Sequence, residues 1–279
     1  MAEITAAAVK ELRQMTGLPM MDCKKALQES GGDAEKAIEL LRKSGAKLME
    51  KRAGRSTTSG RIAIYIAPDG SRAGMVDLRC ESAPVAANEE FVQLAADMAR
   101  QLAEGPGAGS ADELLDQPSP SGSGTLRRQF DDLVNRIREV FRVERFERFD
   151  GPVGGYAHHN AAAAVLLQYE GEAPGELAKD ICMHVAALRP SVLRRDELDP
   201  AVVAKEREIL AEMSRKEGKP EKIIEKMVEG RMRDFYAAQC LEDQPIANEM
   251  KFGKKTVGQA AKEAGITMKR FIHWELPKE

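Results

Sequence analysis

Apolar residues recur at helical spacing at the start of the chain and stop at clear helix-ending signals. The first amphipathic stretch consists of Ile4, Ala8, Val9, Leu12 and Met15. It ends at Gly17, where a left-handed C-cap is expected. Residues 20–29 predict a second helix, and Asp33 is placed to cap a third. Three short helices that pack through one small face each form a domain suited to binding rather than to catalysis.

The period then changes from that of a helix to that of a strand. Residues 61–66 and 74–78 alternate between apolar and polar positions around a Pro-Asp-Gly turn, and a helix is predicted near 88–103. The same order returns as a predicted hairpin over residues 153–169 and a helix near 175–188. Because the two helices are identical at four of ten aligned positions, we predict a duplicated hairpin-plus-helix unit.

The remaining segments complete an α+β fold class with small antiparallel sheets. Residues 105–124 are dense in Gly, Pro and Ser and predict a mobile loop. An amphipathic helix near 126–137 and a strand over 141–146 follow this loop. A helix near 257–264 and a strand near 268–276 close the chain.

A helical hairpin is predicted between the second repeat and the last helix. Residues 200–217 and 221–239 form its two helices, and Gly218-Lys219-Pro220 joins them. An apolar face on a projecting hairpin is a candidate surface for an oligomer or a partner protein.

Composition excludes several function classes. The 279 residues carry 42 Lys+Arg against 45 Asp+Glu, a net charge of −3 that argues against a basic nucleic-acid-binding surface. The apolar run at 161–167 is far shorter than the roughly 20 residues of a membrane-spanning helix. The N-terminus has no features of a signal peptide, so we expect a cytoplasmic protein. Four scattered cysteines without a C-x-x-C pair indicate reduced thiols: Cys23, Cys80, Cys182 and Cys240.

No catalytic constellation is recognisable in the sequence. His158 and His159 are predicted to point to opposite faces of a strand, which prevents both from binding one metal ion. His184 follows Asp180 by one helical turn, an ordinary contact within a helix. Residues 253–256 resemble part of a phosphate-binding loop but lack its earlier glycine. We therefore expect no enzyme activity, no cofactor and no metal site.

Met20 and Met21 open the second predicted helix, directly after a tight turn. Flexible, polarizable methionine side chains suit an adaptable contact with another protein. The alternative is that both fill the core of the three-helix domain, and the residues alone do not decide between the two.

Several ordered segments along nearly the whole chain closely resemble the bacterial elongation factor Ts family. These segments are residues 9–13, 16–17, 20–27, 42–46, 183–187, 225–232 and 255–259. The resemblance implies an N-terminal three-helix domain similar to ubiquitin-associated domains, two related α+β core subdomains and an inserted helical hairpin. The implied boundaries are 1–55 for the first domain, 56–140 and 141–197 with 240–279 for the core subdomains, and 198–239 for the hairpin.

The resemblance also implies a partner and a set of contact residues. Members of the family are guanine nucleotide exchange factors of the GTPase elongation factor Tu. Residues matching the family's docking positions on the nucleotide domain are Arg13, Met20 and Met21, and a histidine contact in the second core subdomain matches His158. The hairpin implies a homodimer. No nucleic acid, membrane or cofactor is implied.

One family motif differs in this chain. The family's Thr-Asp-Phe-Val, whose Asp and Phe reach the partner's magnesium and phosphate site, is replaced by Ser82, Ala83, Pro84 and Val85. Ala83 cannot accept a hydrogen bond through its side chain, and Pro84 has no aromatic ring to act as a wedge. Three alternatives to an exchange factor therefore stay open: a divergent paralogue with weak exchange, a scaffold or chaperone-like binder that shares the N-terminal domain, and a hydrolase using His158 or His184.

Overall fold

The computed structural model of the chain describes residues 4–122, 124–172, 175–217 and 220–277. Three helices come first: α1 (Ala6–Thr16), α2 (Met20–Glu29) and α3 (Ala34–Arg52). Gly17 ends α1 with a positive φ of 70°, and the Asp33 carboxylate caps α3 by accepting from the Lys36 amide at 3.1 Å. Leu12 and Leu27 are buried between the three helices, so the predicted N-terminal helices are confirmed.

A first antiparallel sheet has the order β1-β2-β3. Its elements, in chain order, are β1 (Ser59–Ile66), β2 (Arg72–Cys80), α4 (Ala83–Ala86), α5 (Glu89–Glu104), α6 (Ala111–Leu115), α7 (Leu126–Ile137) and β3 (Arg142–Asp150). The buried face of α5 packs on the sheet through Phe91, Leu94 and Met98. Because β3 pairs with β2, residues 142–150 belong to the first sheet.

A second antiparallel sheet has the order β4-β5-β6 and the same connectivity. Its elements are β4 (Val153–Ala157), β5 (Ala163–Glu170), α8 (Gly175–Leu188), α9 (Pro200–Lys216), α10 (Glu221–Gln239), α11 (Glu249–Phe252), α12 (Val257–Glu263) and β6 (Thr267–Glu275). Short 3-10 helices at Arg195–Glu197 and Leu241–Asp243 lie on either side of the hairpin. In each sheet a hairpin, a helix and a returning strand follow one another, which confirms the α+β class.

The hairpin predicted over residues 200–239 is formed by α9 and α10. Leu210, Ile224, Val228 and Met232 are buried along its seam. Of the predicted joint, Gly218 and Lys219 lie outside the described residues, and α10 begins directly after Pro220.

The segment predicted as a loop over residues 105–124 contains the helix α6. Leu114 and Leu115 of this helix are buried in the core of the first subdomain. The residues after α6 are held by the buried carboxylate of Asp97 on α5, which accepts hydrogen bonds from Ser121 and from Gln129. A five-residue helix leaves no periodic pattern among glycines and prolines, so sequence reasoning missed it.

The two sheets meet at a buried ionic cluster. Asp77 on β2 is fully buried and accepts from Arg79 Nε at 2.5 Å and from Arg145 Nε at 3.0 Å. Arg145 on β3 also donates to the backbone carbonyl of Glu275 on β6 at 3.0 Å and lies 4.6 Å from the ring centre of Trp274. The cluster therefore fixes the first sheet against the last strand of the second.

Replacing Asp77 by Asn is expected to lower the free energy of unfolding by about 3–5 kcal/mol, because Arg79 is left as an uncompensated buried charge. The matched control is Asp150→Asn, which removes the ion pair between Asp150 and Arg148. The side chain of Asp150 is 69% exposed. That change is expected to cost less than about 1 kcal/mol. Urea unfolding measures both values, and equal losses would show that the cluster is not a fixed junction.

Candidate partner-binding site

The segment that replaces the family motif forms a single helical turn directly after β2. Ser82 has extended backbone and precedes α4, and Pro84 occupies the first turn, where its missing N–H breaks no hydrogen bond. Ala83 and Pro84 are exposed, whereas Ser82 and Val85 are half-buried. The turn therefore presents Ala83 and Pro84 outward on a short rigid support.

Two carboxylates fix this turn to the end of α7. Glu139 Oε1 accepts from the Ser82 hydroxyl at 2.6 Å, and its Oε2 accepts from the amides of Glu81 and Ser82 at 3.1 Å each. Glu81 in return accepts from the Val140 amide at 2.8 Å and from Arg55 at 2.9 Å. Burial alone would raise the pKa of Glu81, but these two donors outweigh burial and hold that pKa below its ordinary value.

His158 lies in the loop between β4 and β5. Its Nδ1 is 2.9 Å from Asn160 Oδ1, and the same oxygen accepts from the Ala162 amide at 3.0 Å. The carbonyl oxygen can only accept, so Nδ1 of His158 carries the hydrogen. The prediction that His158 and His159 point to opposite faces of a strand is wrong, because β4 ends at Ala157 and the two rings lie 4.2 Å apart.

One cavity of about 800 Å³ is lined by His158 and by Ala83, the one residue of the predicted contact segment 82–85 in its lining. Ala83 and Ala86 of α4 line one part of it, and His158 and His159 line another. Strand β1 connects the two parts, since Arg61 donates to the carbonyl of Ala86 at 3.1 Å while the neighbouring Ile62 amide donates to Ala161 at 2.8 Å. The cavity is therefore a composite of the two sheets.

The third predicted contact set lies on the N-terminal domain and outside the described lining of this cavity. Arg13 is exposed, and the side chains of Met20 and Met21 are 49% and 61% exposed. The alternative in which both methionines fill the domain core is therefore wrong. Met15, the last residue of the first amphipathic stretch, is 63% exposed.

The N-terminal domain is attached to α7 by ion pairs and one close approach. Asp22, next to Met21, pairs with Arg138, and Arg42 pairs with Asp132 at 3.0 Å. A Cβ on Gly45 would lie 1.5 Å from the Asn135 side-chain oxygen, so a larger residue in α3 would require that side chain of α7 to move. These contacts fix how the exposed methionines are presented relative to the core.

His184 does not make the predicted contact with Asp180. Its Nε2 lies 2.8 Å from Gln244 Oε1, and its Nδ1 accepts from the Ala247 amide at 3.1 Å. Asp180 instead accepts from Lys251 Nζ at 2.5 Å. His184 is a buried structural residue rather than a catalytic one in this arrangement.

The four cysteines are unpaired and buried. Burial raises the pKa of Cys80 and of Cys240 to about 11, and it raises the pKa of Cys182 as well. Within the described ranges, no cluster of three or more His, Cys, Asp or Glu side chains could hold a metal ion. Among the same residues, no helix is long and apolar enough to cross a membrane.

Comparison with known proteins leads to the translation elongation factors. A family model described as Elongation factor TS matches residues 81–278. The chain is 40% identical over 276 residues to elongation factor Ts of Thioalkalivibrio sulfidiphilus, with 98% of this chain and 92% of the relative covered. It is 39% identical over 282 residues to that of Clostridium botulinum, with 98% and 92% covered, and 38% identical over 285 residues to that of Aquifex aeolicus, with 96% of each covered. The chain belongs to the elongation factor Ts family.

Acid is expected to destabilise the fold through His184. Burial lowers the pKa of His184 below its ordinary value of 6.5, against an opposing hydrogen bond to Gln244. Below pH 6.5 the unfolded chain therefore takes up a proton that the folded chain refuses, and stability falls as the pH drops towards the folded-state pKa. One such proton contributes a slope of at most about 1.4 kcal/mol per pH unit.

Chemical unfolding between pH 7.5 and 5 measures this slope. His184→Gln should flatten it, whatever the variant's stability at pH 7.5. His159→Gln, at an exposed position, is the matched control and should keep the original slope. An unchanged slope in the His184 variant would assign the acid sensitivity to other groups, such as His273, whose pKa is also lowered by burial.

Proposed function

We propose that this chain binds elongation factor Tu in its GDP-bound form and promotes GDP release by distorting the magnesium and phosphate site, which allows GTP to bind. The observation that supports the proposal best is the composite cavity, in which α4 and the His158 loop come together. Both are positions that the family resemblance assigns to partner contact. In this proposal the chain acts in the cytoplasm by protein binding alone, without a cofactor or a bond-making step of its own.

Exchange requires a coupling between two binding equilibria. The factor must bind a conformation of the GTPase that holds nucleotide weakly, and it then weakens nucleotide by the same factor by which nucleotide weakens it. A thousandfold coupling corresponds to roughly 4 kcal/mol. That free energy must come from contacts made only in the distorted state of the GTPase.

The N-terminal residues suit the part of binding that is common to both states. Arg13, Met20 and Met21 are exposed on a domain that is fixed to the core by ion pairs. Adaptable methionines give affinity with little geometric demand. We propose that this surface contributes binding free energy equally to both states of the GTPase.

The α4 turn beside the cavity and His158 in its lining suit the part of binding that depends on the state of the GTPase. Pro84 is presented on a short helix that Glu139 and Glu81 fix in place, so it can act as a wedge by shape where the family has a phenylalanine. His158 adds a ring held by Asn160. The alternative, a paralogue that binds but exchanges weakly, rests on the missing carboxylate at Ala83 and the missing aromatic ring at Pro84.

Changing Met20 and Met21 together to Ala should raise the half-saturating concentration for GDP release by about tenfold, because two exposed anchors are shortened. The limiting rate of GDP release should change less than about twofold, because the lost contacts are made equally in both states of the GTPase. Release of fluorescent GDP from elongation factor Tu, titrated with the protein, measures both quantities. Met250→Ala is the matched control, because that methionine is fully exposed on α11.

The same titration separates the two candidate functions. An exchange factor accelerates release to a limiting rate that is well above spontaneous loss of GDP. The weak-exchange paralogue would bind the GTPase at the same concentrations with almost no acceleration. An unchanged titration curve for the methionine double variant would contradict the docking assignment.

We also propose that the hairpin forms a homodimer contact. Exposed apolar side chains on the hairpin support this proposal: Val202, Ile209, Met213 and Ile223 are each 41–50% exposed. They lie outside the buried seam between α9 and α10. An apolar face of this kind is typical of protein–protein contacts.

Replacing Ile209 and Met213 by Asp should convert a dimer into a monomer in sedimentation velocity experiments, because two charges would be buried without partners. Glu212→Ala, an exposed polar position between them, is the control and should leave the dimer intact. A wild-type chain that sediments as a monomer at high concentration would overturn the dimer proposal.

A further inference from the structure

The geometry points to Glu139 as a positioning residue for exchange: it holds α4 in place and, with Arg138, connects α4 to the N-terminal domain. This inference rests on the proposed exchange function and names the side chain that sets the wedge. Glu139 is distant in sequence from Ser82, its hydroxyl partner, by 57 positions.

The turn α4 cannot hold its own position. It has four residues, none of them buried, and a helix of this length is unstable in isolation. Ser82 would ordinarily cap such a turn, but its side chain makes no capping bond and donates to Glu139 instead. The position of the turn therefore depends on bonds from outside it.

Glu139 supplies the largest share of these bonds. Its two oxygens accept from two consecutive backbone amides and one hydroxyl, all within 3.1 Å. Hydrogen bonds to an ionised carboxylate are about twice as strong as neutral ones. Together they fix the direction in which the chain leaves β2 and enters α4.

Glu139 itself is fixed by the way α7 ends. Arg138 terminates that helix with φ +64° and ψ +27°, a left-handed conformation that costs a residue with a Cβ some strain. Contacts from the N-terminal part of the chain support it: Asp22 pairs with its guanidinium, and Arg52 donates to its carbonyl. Two residues after Arg138, the amide of Val140 donates to Glu81.

Residues 138–140 thus connect the N-terminal domain to the α4 turn. At one end Arg138 binds Asp22, which follows Met21 in α2. At the other end Glu139 and Val140 bind the two residues that precede α4. The position of α4 relative to the N-terminal domain is therefore set by the contacts of three consecutive residues.

The test is Glu139→Gln, which keeps the size of the side chain but leaves one acceptor oxygen where two were used. The limiting rate of fluorescent GDP release from elongation factor Tu should fall about tenfold, the effect of losing one charged hydrogen bond. The half-saturating concentration should change less than about twofold, because docking is untouched. A purely structural defect would not separate these two quantities.

Glu113→Gln is the matched control, since this exposed carboxylate also accepts from a backbone amide, that of Gly109 at 2.7 Å. It should release GDP like the unaltered chain. Hydrogen exchange gives a second readout: in Glu139→Gln, the amides of residues 81–83 and 85–87 should exchange faster while the α5 amides stay protected.

The outcomes separate the inference from the proposed function. A wild-type limiting rate for Glu139→Gln, with a reduced rate for Pro84→Gly, would overturn the role of Glu139 and leave the exchange function standing. Unchanged amide exchange at residues 81–83 and 85–87 would overturn it as well. If the unaltered chain does not accelerate GDP release, the proposed function itself fails.

Discussion

The walls of the composite cavity come from two different sheets, and the buried carboxylate of Asp77 positions Arg145, the side chain that links the first sheet to the second. It neutralises Arg79 and orients Arg145, whose guanidinium reaches the backbone of Glu275 and stacks near Trp274. A charge buried this completely requires its partners in fixed positions, since losing one leaves the others desolvated. That requirement helps to fix the placement of α4 relative to the His158 loop, together with the hydrogen bond from Ile62 to Ala161 and the apolar residues buried between the sheets.

The duplicated units share a connectivity but use one shared residue differently. Asp97 on α5 and Asp180 on α8 are aligned acidic positions of the repeat. Asp97 accepts from Ser121 and Gln129 and so holds the segment containing α6, whereas Asp180 accepts from Lys251 and so holds α11. In both halves an aspartate on the helix that follows the hairpin holds the segment that lies between this helix and the last strand of the sheet. The two halves thus have the same strand order and differ in their insertions.

Local signals predicted most elements, and long-range contacts account for what they missed. Gly17 ends α1 through its left-handed backbone conformation, and Asp33 starts α3 by accepting from a nearby amide. Both signals depend on a few neighbouring residues, so the sequence alone predicts these helix ends. His158 and His159 were misplaced because the end of β4 is set by pairing with β5. Glu139 gave no signal, since an acidic residue after an amphipathic helix is ordinary until the fold brings Ser82 to it. The family resemblance located the candidate site, whereas its support is visible only in three dimensions.

The burial of the four cysteines has a practical consequence for following this protein at work. Thiolates, not thiols, attack alkylating reagents, and burial both blocks access and raises the pKa of Cys80, Cys182 and Cys240. A cysteine introduced at an exposed position such as Met250 would therefore react selectively in the unmodified background. Fluorescent dyes could then be attached at chosen points without first removing the native thiols, which leaves the core packing intact.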